Sequence, residues 1–217
     1  DLCKRILEKG WKIEWTCFTR TDCIDRKLLK LMKKAGCYLI SFGTESGDDL
    51  LLENISKDLT VNDNFKGVQL TKEEGIQVIT SFMLGLPNES REQTLKTIQF
   101  SIDCGSDYAV FPITEPYPGT ELWVDANKYG YFDNSGKHKN NLLSENSAVW
   151  VPHGRTRKEL ELLSYKANLK FYLRPRIIMN FIKNIYYLPI GRALRFYWAS
   201  LVYLCSRFKT VKSGTRY

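Results

Sequence analysis

A carboxylate flanked by glycines ends one of the most apolar stretches of the sequence. The segment "YLISFGTESGDD", residues 38–49, runs through apolar and aromatic residues into Glu45, with Gly43 before it and Gly47 after it. A carboxylate withdrawn from water needs a donor as partner, and glycine lets backbone approach a ligand closely. The pattern predicts that Glu45 has a task beyond that of an ordinary turn residue.

Three other apolar stretches also end in polar residues, glycine or proline. These ends are Cys17–Asp22, Ser81–Pro87 and Thr114–Thr120. Ligands of α/β sheets and barrels bind beyond the carboxyl ends of the strands, so the four ends together could bind one polar ligand from several sides. Taken singly, each has a plainer interpretation: Arg20 pairs with Asp22 at the surface, Gly85 and Pro87 shape a turn, and Lys57 is a solvated helix residue.

Alternating strand and helix patterns position these ends. Strand patterns begin near residues 12, 38, 76 and 108, and helix patterns fill the intervals. Thr60 is a predicted N-cap, Ser90 and Gln93 form a predicted capping box, and glycines follow the helices. This alternation predicts β-α-β-α units, a parallel sheet and an α/β fold. Four strands are too few for an eight-stranded barrel, and residues 1–9 resemble the end of a helix, so further units are expected upstream.

Charge divides the chain into unequal parts. Residues 154–217 contain fourteen Lys and Arg against two Glu, a net charge of +12, which leaves −4 of the total +8 for residues 1–153. We therefore expect an α/β domain over residues 1–130, a loop or linker over 131–153, and a basic, aromatic helical extension over 154–217. Its predicted helices are 157–173, 176–187 and 190–207. The apolar run "FYWASLVYLC" is shorter than the roughly 20 residues of a membrane-spanning helix.

Composition and cysteine spacing exclude several classes of protein. The chain is 43% hydrophobic and 26% charged, which is typical of globular rather than disordered proteins. Its six cysteines are scattered, without a C-x-x-C pair, so we expect buried cytoplasmic thiols rather than a disulfide framework or a self-contained metal site. The first residue is Asp rather than Met, which indicates a piece of a longer chain.

Four motifs together carry a family resemblance. They are "GTESG", "ISK", "GLPNE" and "PYPGT", in this order. In this arrangement, residues 1–130 resemble the later half of the core of radical S-adenosylmethionine (SAM) enzymes. They are most similar to the subgroup that often carries an upstream cobalamin-binding domain, related to anaerobic cyclases and methyltransferases. The resemblance implies the distal part of a partial (β/α)6 barrel. The family's C-x-x-x-C-x-x-C motif is absent, so the ligands of its 4Fe-4S cluster are expected upstream.

The resemblance also implies a set of cofactor-binding residues. These are Arg20, Gly43, Glu45, Lys57, Ser81 and Gly85. Glu45 matches the position that contacts the SAM ribose hydroxyls, Lys57 a residue that pairs with the SAM carboxylate, and Ser81 a ribose-side position. Arg20 is a further polar candidate, and the two glycines would admit close backbone approach. The implied reaction generates a 5′-deoxyadenosyl radical for hydrogen abstraction or, with cobalamin, transfers a methyl group. Its substrate would be a small molecule or a lipid, and its electron donor a flavodoxin or ferredoxin.

Alternatives remain for the whole chain and for the basic extension. The chain could be a non-catalytic relative that acts as a binding or scaffold protein. Residues 154–217 could pack as a helical cap on the barrel, bind the surface of a membrane, or bind nucleic acid, which is the weakest of the three because no recognised module surrounds the charges. The expected location is cytoplasmic, with peripheral membrane association if the extension binds lipid.

Overall fold

The computed structural model of the chain describes residues 1–133 and 150–179. Its main sheet consists of β1 Trp15–Thr19, β2 Cys37–Glu45, β3 Gln77–Phe82 and β4 Tyr108–Val110. The strands lie in the order β1-β2-β3-β4, and each neighbouring pair is parallel. The predicted α/β class and the parallel sheet are therefore confirmed, and all four strand ends meet at one edge of the sheet.

Helices connect the strands in the predicted places. They are α1 Leu2–Glu8, α2 Arg26–Lys34, α3 Asp49–Asn54, α4 Val61–Glu73, α5 Arg91–Asp103, α6 Glu121–Val124, α7 Ala126–Tyr129 and α8 Arg157–Tyr172, with a 3-10 turn at Thr21–Cys23. Thr60 caps α4, and Ser90 and Gln93 exchange the two hydrogen bonds of a capping box at 3.2 and 2.9 Å. Both predicted caps are confirmed, so local signals fix the starts of α4 and α5.

One face of the sheet packs against helices. Ile40 and Phe42 of β2 and Val78 of β3 are fully buried together with Leu29 of α2 and Val68 of α4. Alternate strand residues point to the opposite face. On that face, the register places Gly43 beside Ser81 at the carboxyl end, which brings two of the predicted site residues together.

The segment predicted as a loop, residues 131–153, is bounded by strands. β5 Gly130–Phe132 and β6 Trp150–Pro152 pair antiparallel, and residues 134–149 lie outside the described residues. The strand β6 forms because Trp150 is fully buried and its Nε1 donates a hydrogen bond to the Ala126 carbonyl at 3.0 Å. Three-residue strands are too short for an alternating pattern to reveal them.

The first compact unit continues past the predicted boundary at residue 154. It comprises Asp1–Phe171, and the second unit comprises Tyr172–Tyr217. Helix α8 buries Leu160 and Phe171, and the Ser164 hydroxyl donates a hydrogen bond to the Phe111 carbonyl at 2.9 Å. Residues 154–171 therefore belong to the α/β core rather than to a separate extension. They extend the core because the apolar face of α8 covers the carboxyl end of the sheet's last strand.

The second unit is described only as far as residue 179, with a helical turn at residues 175–179. The predicted helices 176–187 and 190–207 otherwise lie outside the described residues. Within the described part of the chain, no helix is long and apolar enough to cross a membrane.

Candidate functional site

Glu45 and Lys57 form an ion pair at the carboxyl end of β2. The Lys57 Nζ lies 3.1 Å from Glu45 Oε1, and the side chains are 16% and 19% exposed. Within the described residues, the Glu45 Oε2 accepts no hydrogen bond, and the lysine ammonium uses one of its three donors on Glu45. The pair therefore retains both an acceptor and donors that a polar ligand can reach.

A β-bulge aims the Glu45 side chain. The register with β3 shifts between Gly43 and Glu45, and Glu45 has a φ of +61°. A left-handed backbone costs a non-glycine residue about 1–2 kcal/mol, and such strain, like bulges, concentrates at functional sites. The Glu45 carbonyl accepts a hydrogen bond from the Met83 N–H at 2.9 Å, which ties the bulge to the neighbouring strand.

Lys57 lies in a short connection between α3 and α4 that is strained on both sides. Its neighbours Ser56 and Asp58 have φ values of +53° and +52°. The Lys57 N–H donates to the Leu52 carbonyl at 3.0 Å, and its own carbonyl accepts a hydrogen bond from Arg20 Nη2 at 2.7 Å. The backbone of Lys57 is thus held from two directions, which fixes where its ammonium can reach.

Gly43 and Ser81 complete the surroundings of the ion pair. A Cβ on Gly43 would lie 2.5 Å from Glu45 Oε1 and 3.2 Å from Lys57 Nζ, so a side chain here would displace the ends of the two paired side chains from their present positions. Ser81 is the register partner of Gly43, and its carbonyl accepts a hydrogen bond from the Thr44 hydroxyl at 2.7 Å. The structure therefore brings together four of the six predicted site residues: Gly43, Glu45, Lys57 and Ser81.

Arg20 contacts the backbone of Lys57 rather than the charged groups of the ion pair. Its guanidinium donates to Asp22 at 3.0 and 2.9 Å, and also to the Lys57 carbonyl. The hydrogen bond from Arg20 lowers the pKa of the Asp22 carboxyl. The surface pair with Asp22, the plainer interpretation of this sequence, is present, and the guanidinium supports Lys57 from its backbone side.

Gly85 serves a turn that is packed inside the protein. Its φ is +78°, and a Cβ there would lie 3.1 Å from the Leu160 side chain of α8. Its N–H donates a hydrogen bond to the Glu89 carboxylate. The structure thus gives Gly85 two internal contacts, with Leu160 and with Glu89, and its contact with a ligand stays a prediction.

Two buried charged residues near the end of β3 were not found by sequence reasoning. Glu89 is 3% exposed, and its Oε2 also accepts from the Leu86 N–H at 3.0 Å. Burial raises the pKa of the Glu89 carboxyl, while the backbone donors lower it. Arg155 Nη1 donates to the Glu89 carbonyl at 3.0 Å and to the Thr94 hydroxyl at 3.2 Å. The sequence signal that could have identified Glu89 is its position in "GLPNE", directly before the N-cap residue Ser90. No local sequence pattern identifies Arg155 as a buried residue.

The cysteines do not assemble a metal centre in the described part of the chain. No group of three or more His, Cys, Asp or Glu side chains there could hold a metal ion. Burial raises the pKa of the Cys37 thiol to about 12, which disfavours the thiolate that binds metals. Cys3, Cys37 and Cys104 are buried as expected, Cys17 is partly buried, and Cys23 is exposed, so the expectation of buried thiols was wrong for Cys23.

Comparisons with known proteins agree with this architecture. Residues 1–101 match the family model of the radical SAM superfamily. An uncharacterized methyltransferase of Pyrococcus horikoshii is 33% identical over 195 residues, which cover 90% of this chain and 42% of the relative. The anaerobic magnesium-protoporphyrin IX monomethyl ester cyclase of Rubrivivax gelatinosus is 32% identical over 136 residues, which cover 61% of this chain and 24% of the cyclase.

A solved structure shares the fold. The radical S-adenosylmethionine methyltransferase TsrM from Kitasatospora setae, with cobalamin and a 4Fe-4S cluster bound, superposes with a TM-score of 0.53 at 18% identity. The likeness covers 58% of this chain and 27% of that enzyme. At this identity, the likeness concerns the fold alone.

Parallel βα units with a polar site at the carboxyl ends of the strands define part of a barrel-type enzyme core. The chain belongs to the radical SAM superfamily, a family of enzymes, and carries part of its core. The resemblance drawn from the sequence motifs is thereby confirmed. The chain spans less than half the length of the two relatives, 42% and 24%.

Proposed function

We propose that this chain supplies the SAM-binding side of a radical SAM enzyme core. The observation that carries the proposal is the Glu45–Lys57 pair, which stands on strained backbone at a strand end and retains an acceptor and donors. Glu45 Oε2 would accept from the ribose hydroxyls, and the Lys57 ammonium would bind the SAM carboxylate. Ser81 would add a polar group on the ribose side.

The residues present fit SAM but not the iron–sulfur cluster. Gly43 leaves the charged ends of Glu45 and Lys57 in place, since a Cβ there would displace them. By contrast, the described residues hold no group of three metal ligands, and the sequence contains no C-x-x-x-C-x-x-C motif. We therefore assign no residue of this chain to the 4Fe-4S cluster that the superfamily implies, and propose that its ligands lie outside these 217 residues.

SAM, when bound beside a reduced cluster, supplies a 5′-deoxyadenosyl radical or, with cobalamin, a methyl group. The part of this chain is to bind and orient the cofactor: Glu45 fixes the ribose, and Lys57 fixes the amino-acid end. The substrate is proposed to be a small molecule or a lipid; the name of one relative, a cyclase of magnesium-protoporphyrin IX monomethyl ester, supports the small molecule. A cobalamin-assisted methyl transfer is the second proposed reaction, and the name of the other relative, a methyltransferase, supports methyl transfer. A flavodoxin or ferredoxin would supply the electron.

Product analysis tests the proposal. The protein in its natural full-length form is reconstituted anaerobically with iron and sulfide and supplied with SAM and dithionite. We expect 5′-deoxyadenosine, S-adenosylhomocysteine or both, the first indicating hydrogen abstraction and the second methyl transfer. If SAM is recovered intact from protein that contains the cluster, the enzyme proposal fails and the non-catalytic scaffold becomes the better interpretation.

A membrane-surface role is proposed only for residues 172–217. This segment has nine Lys and Arg and no Asp or Glu, a charge that attracts anionic lipid headgroups at about 1 kcal/mol per residue near the surface. Co-sedimentation of the whole chain with phosphatidylglycerol vesicles at moderate salt should exceed that with phosphatidylcholine vesicles. Equal recovery with both vesicles would contradict this role.

A further inference from the structure

The turn after β1 reaches Lys57 through Arg20. The Arg20 Nε and Nη2 donate to the two carboxylate oxygens of Asp22 at 3.0 and 2.9 Å, and Nη2 also donates to the Lys57 carbonyl at 2.7 Å. Asp22 holds the plane of the guanidinium in the two-bond geometry that arginine forms with carboxylates. The oriented guanidinium then fixes a backbone carbonyl 37 residues away.

The same turn reaches Glu45 through Thr21. The Thr21 hydroxyl donates to Asn64 Oδ1 at 2.8 Å, and Asn64 Nδ2 donates to the Thr44 carbonyl at 3.2 Å. Asn64 and Thr44 are fully buried and Thr21 is 6% exposed. Because both ends of the Asn64 amide are paired away from water, the relay has a single low-energy arrangement. The relay ends at Thr44, the residue directly before Glu45, where the register of β2 with β3 shifts.

A glycine on α4 makes room for this relay. A Cβ on Gly67 would lie 2.6 Å from the Thr21 Cβ and 3.1 Å from the Thr21 carbonyl oxygen. Helix α4 therefore approaches the turn as closely as it does only because residue 67 has no side chain. The close approach is what lets Asn64, one turn earlier on the helix, reach both Thr21 and Thr44.

We propose that the turn Arg20–Asp22 sets the spacing of the Glu45–Lys57 pair, with Arg20 acting on Lys57 and Asn64 acting on Glu45. Arg20 is then a positioning residue rather than a SAM ligand, with three of its five N–H donors used on Asp22 and on the Lys57 carbonyl. The effect on SAM binding rests on the proposed function, whereas the clamp on the backbone of Lys57 does not.

The substitution Arg20→Lys tests whether Arg20 holds the backbone of Lys57. Lysine keeps the positive charge but lacks the planar guanidinium that can bind Asp22 and the Lys57 carbonyl at the same time. In the full-length protein, we expect the dissociation constant of SAM, measured by equilibrium dialysis, to rise about tenfold, the effect of losing one charge-assisted hydrogen bond. In a Lys57→Ala background, Arg20→Lys should have no further effect, because it acts through Lys57. Additive effects of the two substitutions would mean that Arg20 contacts SAM directly and would overturn the proposal.

Hydrogen exchange provides a readout that needs no cofactor. Without SAM, Arg20→Lys should speed the exchange of the Ser56 and Lys57 amides several-fold, because their connection loses its anchor. The matched control is Arg26→Lys, whose guanidinium pairs with Glu73 and Glu74 at the surface and should leave these amides unchanged. Unchanged exchange in Arg20→Lys would refute the clamp. Faster exchange together with an unaffected SAM affinity in Lys57→Ala would refute the proposed function and leave the clamp standing.

The second branch has its own variant. Thr21→Val keeps the shape of the side chain and removes the hydroxyl that orients Asn64, so the dissociation constant of SAM should rise several-fold. Thr16→Val, at an exposed position of β1, is the control and should leave the affinity unchanged. Equal SAM dissociation constants for Thr21→Val and Thr16→Val would show that Asn64 does not help to position Glu45.

Discussion

Two carboxylates stand at neighbouring strand ends in opposite surroundings. Glu45, at the end of β2, is 19% exposed and uses one oxygen on Lys57. Glu89, beyond β3, is 3% exposed and accepts two backbone hydrogen bonds on one oxygen, from Gly85 and Leu86. Full burial and backbone donors make Glu89 a part of the scaffold. Among the described residues, each carboxylate has one oxygen without a hydrogen bond, Glu45 Oε2 and Glu89 Oε1. Partial exposure makes the free oxygen of Glu45 available to a ligand, whereas that of Glu89 is buried.

Backbone strain separates the two ends in the same way. Among the described residues, the non-glycine positions with positive φ are Glu45, Ser56, Asp58 and Asn88. The first three hold or flank the Glu45–Lys57 pair, and only Asn88 lies beside Glu89. Strain is therefore concentrated where a ligand is proposed to bind, as expected if the surrounding fold stabilises an otherwise unfavourable arrangement for a task.

The largest expected effect is on stability at the buried end. Glu89→Ala leaves two buried N–H groups without an acceptor and removes a buried negative charge near Arg155, which keeps only its ion pair with Glu159, so it should cost about 3 kcal/mol of unfolding free energy. Glu45→Ala should change it by no more than about 1 kcal/mol, since a partly exposed ion pair contributes little. Urea unfolding followed by circular dichroism measures both. Similar losses would erase the contrast between the two carboxylates.

A smaller effect concerns pH. Because burial raises the pKa of Glu89, the folded state binds the proton more tightly than the unfolded state. Stability contributed by the protonated group is thus present below the unfolded pKa, near 4.3, and is lost as pH rises through the higher folded pKa. Glu89→Gln should flatten the dependence of unfolding free energy on pH in this window. If the unfolding free energy of Glu89→Gln depended on pH as that of the wild type does, Glu89 would not be the group responsible for this dependence.

The smallest effect is relief of strain. Glycine adopts positive φ without the left-handed penalty but has greater freedom when unfolded, so Asp58→Gly should stabilise the fold by about 0.5 kcal/mol. Glu45→Gly gains the same relief but loses the ion pair with Lys57, so it should not stabilise the fold. Asp58→Gly should leave SAM affinity intact, whereas Glu45→Gly should weaken it. Differential scanning calorimetry and equilibrium dialysis give the two readouts. Destabilisation by Asp58→Gly would mean that this position is not strained.

Local signals in the sequence were sufficient for most of the sheet and its helices. The caps at Thr60 and Ser90 and the apolar runs of β2 and β3 are short-range patterns, and the structure retains them. The glycines around Glu45 marked the site, and both are closely packed: a Cβ on Gly43 would displace the Glu45 carboxylate, and a Cβ on Gly47 would meet Phe100 and Thr97 of α5. The helix α8 could be predicted, but not its place in the core, which depends on contacts with β4 that are distant in sequence.

The remainder of the site depends on contacts that no local pattern encodes. Arg20 meets the Lys57 carbonyl across 37 residues, and Arg155 meets Glu89 across 66 residues. Both arise from the order in which strands and helices pack, so they become visible only in the folded chain. The bulge at Glu45 is of the same kind, because its register with β3 is a property of two strands.

The most direct test of the account is the affinity of the full-length, reconstituted protein for SAM after Glu45→Ala. If Glu45 accepts the ribose hydroxyls, the dissociation constant measured by equilibrium dialysis should rise at least about tenfold, the loss expected for hydrogen bonds to a charged group. Glu53→Ala, an exposed carboxylate on the neighbouring α3, should leave it unchanged. An unaltered dissociation constant in Glu45→Ala would contradict the central claim that the strained end of β2 binds the cofactor.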